Sequence, residues 1–286
     1  MEPTRDARDA APRSARHDLH DLVDDRLAAA LSTLVSRAGR AILEVARGPL
    51  AVTEKADHSP VTAADRAAQD VILAGLARLL PGVPVVSEES DDNAGRDFGD
   101  APFVLVDPLD GTREFVAGTD DYAVNIAIVR NRRPLAGLVF VPACGVLYRG
   151  RVGRGAERVA LPAGASDGPA APIRTRRPPA DGLVAAVSRS HLDPDSDRFL
   201  VANGVVDRVP RGSALKFGLL AEGTADVYPR FAPVREWDVA AGDAVLTAAG
   251  GVVLRPDGTP LRYGDGPRGF LVSGFVAWGA PPPPGP

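Results

Sequence analysis

Apolar residues recur at helical spacing from about residue 18 to 47. Leu19, Val23, Leu27, Leu31, Leu34, Val35, Ala38, Ile42 and Val45 share one face, and Gly48-Pro49 ends the pattern. A second helix is predicted from Thr62, where Thr62 and Asp65 have the form of a capping box. It runs through Val71, Ile72, Leu76 and Leu79 to a stop at Pro81-Gly82. The short apolar runs Pro84–Val86, Phe103–Val106, Ala123–Val129 and Gly137–Val141 predict strands. Residues 151–180 are rich in Arg, Gly, Ala and Pro and predict an irregular linker. After it come a strand at Leu183–Val187, a helix at about Ser213–Glu222 closed by Gly223, and a strand at Ala225–Tyr228. A helix at about Asp238–Ala249 and a last strand at Gly269–Val276 follow. Residues 1–17 and the Pro-rich 279–286 read as disordered tails. Helices interleaved with strands predict an α/β chain, with helices covering layered sheets.

Composition narrows the class. The 286 residues are 45% apolar and 24% charged, which suits a globular core. A net charge of −4 argues against a nucleic-acid binder that works through a basic face. No apolar run is long enough to cross a membrane, and Met1 to His17 contain no signal-peptide core, so a cytoplasmic protein is expected. The one cysteine, Cys144, rules out an internal disulfide and a multi-cysteine zinc site. It lies in an apolar, strand-like stretch and predicts packing. Only Lys55 and Lys216 are lysines among 33 basic residues.

Candidate chemistry is concentrated in carboxylates. An apolar strand runs into Asp107-Pro108-Leu109-Asp110-Gly111-Thr112. Pro108 should stop the ladder, and a helix could start at Thr112. Two carboxylates so close repel unless a cation lies between them, and oxygen-only ligands favour Mg²⁺ or Mn²⁺. The same residues also suit an ordinary surface turn. Glu88 follows another short strand, and Asp238 stands at a helix start beside Trp237, where an Asp is commonly just an N-cap. Three such sites together suggest a two-metal centre.

Ser87-Glu88-Glu89, Asp107-Pro108-Leu109-Asp110-Gly111-Thr112 and Trp237-Asp238-Val239-Ala240-Ala241-Gly242 resemble, in order, the motifs of the inositol monophosphatase superfamily. Lys55 to Asp65, Asp110 to Phe115, Ser188-Arg189-Ser190-His191, Gly212 to Phe217 and Ala221 to Phe231 are similar to its CysQ-type 3′(2′),5′-bisphosphate nucleotidases. Arg113 departs from the lysine usual there. The resemblance implies an αβαβα sandwich, with an N-terminal α+β half over 18–150 and a C-terminal α/β half over 181–278. It implies two or three Mg²⁺ ions. Glu88, Asp107 and the Leu109 carbonyl would hold one, and Asp107, Asp110 and Asp238 the second. Asp65 and Thr112 would position the attacking water, or a looser third ion. Gly111 and Thr112 would hold the scissile phosphate. Lithium sensitivity is implied too, and a homodimer is allowed.

On the substrate side, the resemblance gives Ser213, Lys216 and Arg230 to a retained second phosphate, and Ser190 and His191 to the nucleoside. Plainer readings stand beside these. Lys216 could be a solvated lysine, Arg230 a surface partner of Glu236, His191 a loop residue, and Lys55 an exposed loop lysine rather than part of a closing loop. Trp237 should pack in the core. The expected activity is hydrolysis of adenosine 3′,5′-bisphosphate by direct attack of water, without a phosphoenzyme. Inositol monophosphate, fructose 1,6-bisphosphate and histidinol phosphate are the rival substrates, and a non-catalytic anion-binding module is the rival class.

Overall fold

The computed structural model describes residues 23–48, 52–54, 60–93, 95–190 and 192–281. Helices α1 (Asp25–Ala46) and α2 (Ala63–Leu79) pair on one face of a seven-stranded sheet. That sheet contains β3 (Val85–Ser87), β4 (Phe103–Asp110), β5 (Ala123–Arg130), β6 (Arg133–Val141), β7 (Val146–Arg151), β8 (Gly155–Ala160) and β9 (Ala170–Ile173), in this order in space. Its strands are antiparallel except for the β3–β4 pair. Short strands β1 (Val52–Glu54) and β2 (Pro60–Thr62) form a separate ribbon ahead of α2. The predicted first helix begins at Asp25, where Asp24 accepts the Leu27 N–H; residues 18–22 lie outside the described residues.

The sheet is buried on both faces, so its strands read as continuous apolar runs rather than alternating ones. In β4, Val104 and Val106 pack toward α1 and α2, whereas Phe103 and Leu105 pack toward the second layer of helices. That layer is α5 (Leu215–Ala221) and α6 (Glu236–Ala249). A five-stranded sheet covers it. Its strands are β10 (Leu183–Ser188), β11 (Val205–Arg211), β12 (Val227–Arg230), β14 (Val252–Leu254) and β16 (Phe275–Trp278), in the order β11-β10-β12-β16-β14. Helix α4 (Pro194–Ala202) packs Phe199 and Leu200 on its outer face. A last pair, β13 (Val234–Arg235) with β15 (Leu271–Val272), lies just before α6 in the chain. The layers are therefore αβαβα, as expected.

Glycines set how closely α6 sits on the large sheet. A Cβ at Gly137 would collide with the Ala241 carbonyl, and one at Gly150 would lie 2.6 Å from Val245 Cα. The helix is thus seated almost backbone on backbone.

Several expectations fail. Residues 151–180 are not an irregular linker: β8 and β9 extend the large sheet through ladders to β7 and β8. The predicted strand Gly269–Val276 is two strands in two sheets, split by Gly274. Cys144 is exposed in the Pro142–Gly145 turn between β6 and β7, because the apolar run around it bends there. Trp237 does pack against the core, half-buried with its ring centre 5.9 Å from that of Phe270, and does not line the cavity.

A buried carboxyl links this core to pH. Asp243 of α6 accepts from Tyr263 Oη at 2.7 Å and Thr247 Oγ1 at 3.0 Å. Burial pushes its pKa up to about 6, opposed by those two hydrogen bonds. The folded state therefore holds its proton to higher pH than the unfolded chain, and stability is lost as pH rises from about 4 to 6. The loss at this group is on the order of 3 kcal/mol. Asp243→Asn should flatten that part of the stability–pH curve, measured by denaturant unfolding at pH 4.5 and 7. An unchanged slope would overturn the assignment.

Candidate active site

The Asp107–Asp110 pair is created by a bulge in β4. On a regular strand residues three apart face opposite sides. Here Asp107 pairs with Asn125 and Asp110 with Ala123, so β4 has one residue more than β5 over this interval. The ladder continues past Pro108, contrary to expectation, and the extra residue turns both carboxylates into one cavity. The Leu109 N–H donates to Asp107 Oδ1 at 3.0 Å and fixes the bend. Gly111, at φ 90°, turns the chain into the short helix α3 (Thr112–Val116), whose first N–H groups have no acceptor within the helix.

The capping box at Thr62 is present, and Asp65 has a second role in it. One carboxylate oxygen accepts from the Thr62 N–H at 2.7 Å and Thr62 Oγ1 at 2.8 Å. The other lies 3.1 Å from Thr112 Oγ1, which is also 3.1 Å from the Leu109 carbonyl oxygen. Asp65 is 1% exposed, so an α2 cap reaches through the core to the Thr112 hydroxyl.

Glu88, Asp107, Leu109, Asp110, Gly111, Thr112, Ser213, Lys216, Arg230 and Asp238 all line one cavity of about 390 Å³. One oxygen each from Glu88, Asp107 and Asp238 come within 4.8 Å of one another. Asp238 belongs to α6, which starts at Glu236, two residues earlier than predicted; its Oδ2 accepts the Arg235 N–H at 2.9 Å. It is an N-terminal cap and a member of the cluster at once.

Without a counter-ion these charges strain one another. Burial first, then Glu88, Asp110, Asp238 and Asp65, hold the Asp107 carboxyl well above the carboxylate range. Burial, Asp110 and Glu88 push Asp238 up to about 8. Burial raises Asp110 to about 6, opposed by Lys216, the Ala214 N–H at 2.6 Å and the Asn125 amide at 3.1 Å. A buried, oxygen-only, mutually repelling donor set fits a hard divalent cation.

The same cavity also carries a cationic wall. Lys216 is 2% exposed, so it is not a solvated lysine. Its Nζ donates to the Ser213 carbonyl at 2.6 Å and the Arg211 carbonyl at 3.2 Å, and lies 5.0 Å from the Tyr228 ring centre. Burial lowers its pKa to about 8, Asp110 opposing. Arg230 has a buried Nε without an acceptor among the described residues. It does not pair with Glu236, whose carboxylate takes the Gly264 and Asp265 N–H groups at 2.5 and 3.0 Å.

The expected helix at 213–222 is Leu215–Ala221, because Ser213 adopts φ 47° ahead of it. Ser190 does not line the cavity. Its Oγ donates to Glu114 Oε1 at 2.7 Å. His191, Lys55, Asp57 and Ser59 lie outside the described residues.

Sequence reasoning passed over Tyr228, Phe275, Glu114 and Asn125 as site residues. Tyr228 and Arg230 are two apart on β12 and so share a face, a signal that was readable. Asn125 is one polar residue within the apolar run Ala123–Val129 and is 1% exposed.

A layered αβαβα fold around a carboxylate-lined cavity defines a metal-dependent phosphatase. The inositol monophosphatase family pattern matches residues 24–277, and the chain belongs to that family. More particularly, it is 42% identical to the 3′(2′),5′-bisphosphate nucleotidase CysQ of Escherichia coli K12, over 85% of this chain and 95% of that one. Its identity to the Salmonella typhimurium CysQ is 40%, with the same coverages. The crystal structure of CysQ from Bacteroides thetaiotaomicron superposes with a TM-score of 0.75 at 35% identity, over 88% of this chain and 96% of that one. Among the described residues, no helix is long and apolar enough to cross a membrane.

Proposed function

We propose that this enzyme is a Mg²⁺-dependent 3′(2′),5′-bisphosphate nucleotidase that hydrolyses adenosine 3′,5′-bisphosphate to AMP and phosphate. The observation that carries the substrate is the cationic wall. Lys216 and the unpartnered Nε of Arg230 line the same cavity as the acidic cluster. A buried guanidinium N–H without an acceptor is costly unless the ligand brings one. A bisphosphate, of a nucleotide or a sugar, brings two anionic groups, where an inositol monophosphate brings one, and the 42% identity to CysQ favours the nucleotide.

Glu88, Asp107, the Leu109 carbonyl, Asp110 and Asp238 would hold the Mg²⁺ ions. When bound, the ions neutralise phosphate charge and acidify a water. The rest is positioning by the chain. Thr112 Oγ1 lies 3.1 Å from both Asp65 Oδ1 and the Leu109 carbonyl oxygen; it donates its one proton to one of these acceptors and keeps a lone pair to accept from the attacking water. Asp65 in turn is held by Thr62. The N–H groups of Gly111 and Thr112, at the start of α3, would hold the scissile phosphate. Lys216 and Arg230 bind the retained phosphate, with Ser213 beside them. Tyr228 and Phe275 give that end of the cavity an aromatic wall. Lithium sensitivity and a cytoplasmic setting belong to the same reading.

The test is phosphate release with Mg²⁺ from adenosine 3′,5′-bisphosphate, inositol 1-phosphate, fructose 1,6-bisphosphate and histidinol phosphate. A kcat/KM for the nucleotide at least ~100-fold above the others, about 2.7 kcal/mol of transition-state discrimination, is expected. Equal or better rates on a sugar or inositol ester would remove the nucleotide assignment and keep the phosphatase.

A further inference from the structure

Three carboxylates just downstream of the bulge reach across to the loops of the five-stranded half. Asp110 Oδ2 accepts the Ala214 N–H. Asp121 Oδ2 accepts the Gly212 N–H at 2.9 Å and pairs with Arg189 at 2.7 Å. Glu114 Oε1 accepts the Ser190 hydroxyl at 2.7 Å. Asp121 and Glu114 are 7% and 9% exposed, whereas their side-chain partners Arg189 and Ser190 are exposed, so each contact is shielded from water on one side only. The loops they hold contain Arg189 and Ser190 after β10 and Gly212 to Ala214 before Lys216. There is no slack at this crossing. A Cβ on Gly212 would lie 2.5 Å from the Asp121 carbonyl oxygen and 2.9 Å from Glu114 Cγ.

Asp110 belongs to the acidic cluster, and Asp121 divides its carboxylate between the Gly212 backbone and the Arg189 guanidinium. Glu114 is different: its partner is the hydroxyl of one loop residue, and its carboxylate also lies close enough to Lys216 to favour that lysine's charge. We propose that Glu114 is a positioning residue for substrate recognition. Through Ser190 it pins the loop after β10 at the cavity rim and so fixes the distance between the phosphate-cleaving half and the cationic wall. The substrate named here rests on the nucleotidase reading; the positioning role does not.

The experiment compares Glu114→Ala, Ser190→Ala, the double variant and Glu114→Gln with the unaltered enzyme, on adenosine 3′,5′-bisphosphate and on p-nitrophenyl phosphate. Each alanine variant should raise KM for the bisphosphate about tenfold, with a smaller change in kcat. For Ser190→Ala, which lies off the cavity, turnover of the aryl phosphate, which has no second anion, should stay within twofold. The double variant should be no worse than either single one, because both break the same link. Glu114→Gln keeps an acceptor for Ser190 and should recover most of the affinity. Effects that multiply in the double variant would overturn the proposal, since they mean independent contacts. So would equal losses of kcat on both substrates, which mark a general structural role. If Glu114→Ala does not fold, the exposed Ser190→Ala decides alone. If the unaltered enzyme prefers inositol 1-phosphate, the nucleotidase reading has failed. The same variants assayed on that ester still test the pinning role through the KM-against-kcat split.

Discussion

Asp110→Asn is expected to lower kcat by at least ~10³-fold, about 4 kcal/mol of transition-state stabilisation, while the fold stays intact. The change removes a charge from the acidic cluster with almost no change in volume. Asn can still offer its oxygen to the Ala214 N–H and the Asn125 amide, which now grip Asp110 Oδ2. Repulsion with Asp107 and Asp238 falls at the same time. The metal-free variant should therefore melt no lower than the metal-free parent. Activity assays together with thermal melts in EDTA separate the two effects. Near-normal turnover would remove Asp110 from the site, and a large drop in Tm would make it a structural residue.

The second large effect is expected from the ion itself. A ligand at 100 times its Kd stabilises a folded protein by about 2.7 kcal/mol. For a chain of this size that is a rise in Tm of roughly 5 °C on adding saturating Mg²⁺, reversed by EDTA. The effect should depend on pH with a definite sign. Asp238 and Asp110 have folded pKa values raised to about 8 and about 6. Without ions, their contribution to stability is greatest near pH 4 and is lost as pH rises toward 8. Mg²⁺ replaces the protons, so its stabilising effect should be larger at pH 8 than at pH 6. Differential scanning fluorimetry at the two pH values, with and without Mg²⁺, measures it. A shift that is absent at both, or undiminished in Asp110→Asn, would sink the assignment of this cluster as the metal centre.

Much of this architecture was legible because its signals are local. The box at Thr62 and Asp65 needs only four residues of chain, and it is there. The strands at the centre of the large sheet announce themselves because both faces are buried. The edge of that sheet was hidden for the opposite reason. In β8 only Ala156 and Val159 are buried, and β9 has a proline and no buried residue, so their ladders rather than their composition make them strands. At Cys144 the apolar run bends at a turn instead of continuing as a strand, and composition alone does not distinguish the two. The acidic residues could be named from their types and order. That Asp107 and Asp110 point into one pocket is also expected from the sequence; that they do so through a bulge in a ladder that continues past Pro108 is not, because it depends on pairing with β5. The link between Ser190 and Glu114 was equally out of reach, since 76 residues separate them.

The bulge between Asp107 and Asp110 has one further consequence. The two acids meet because of a count of residues, not only because of their identity. A residue-by-residue alanine scan would report the carboxylates and pass over the device that aims them. A single-residue deletion between them, in contrast, would leave every acid in the chain and put the pair two apart on one face of a regular strand, but would remove the bulge and the bend that the Leu109 N–H now fixes. Insertions and deletions in this short stretch should therefore be far less tolerated than substitutions at Pro108, and the length of the segment is itself part of the active site.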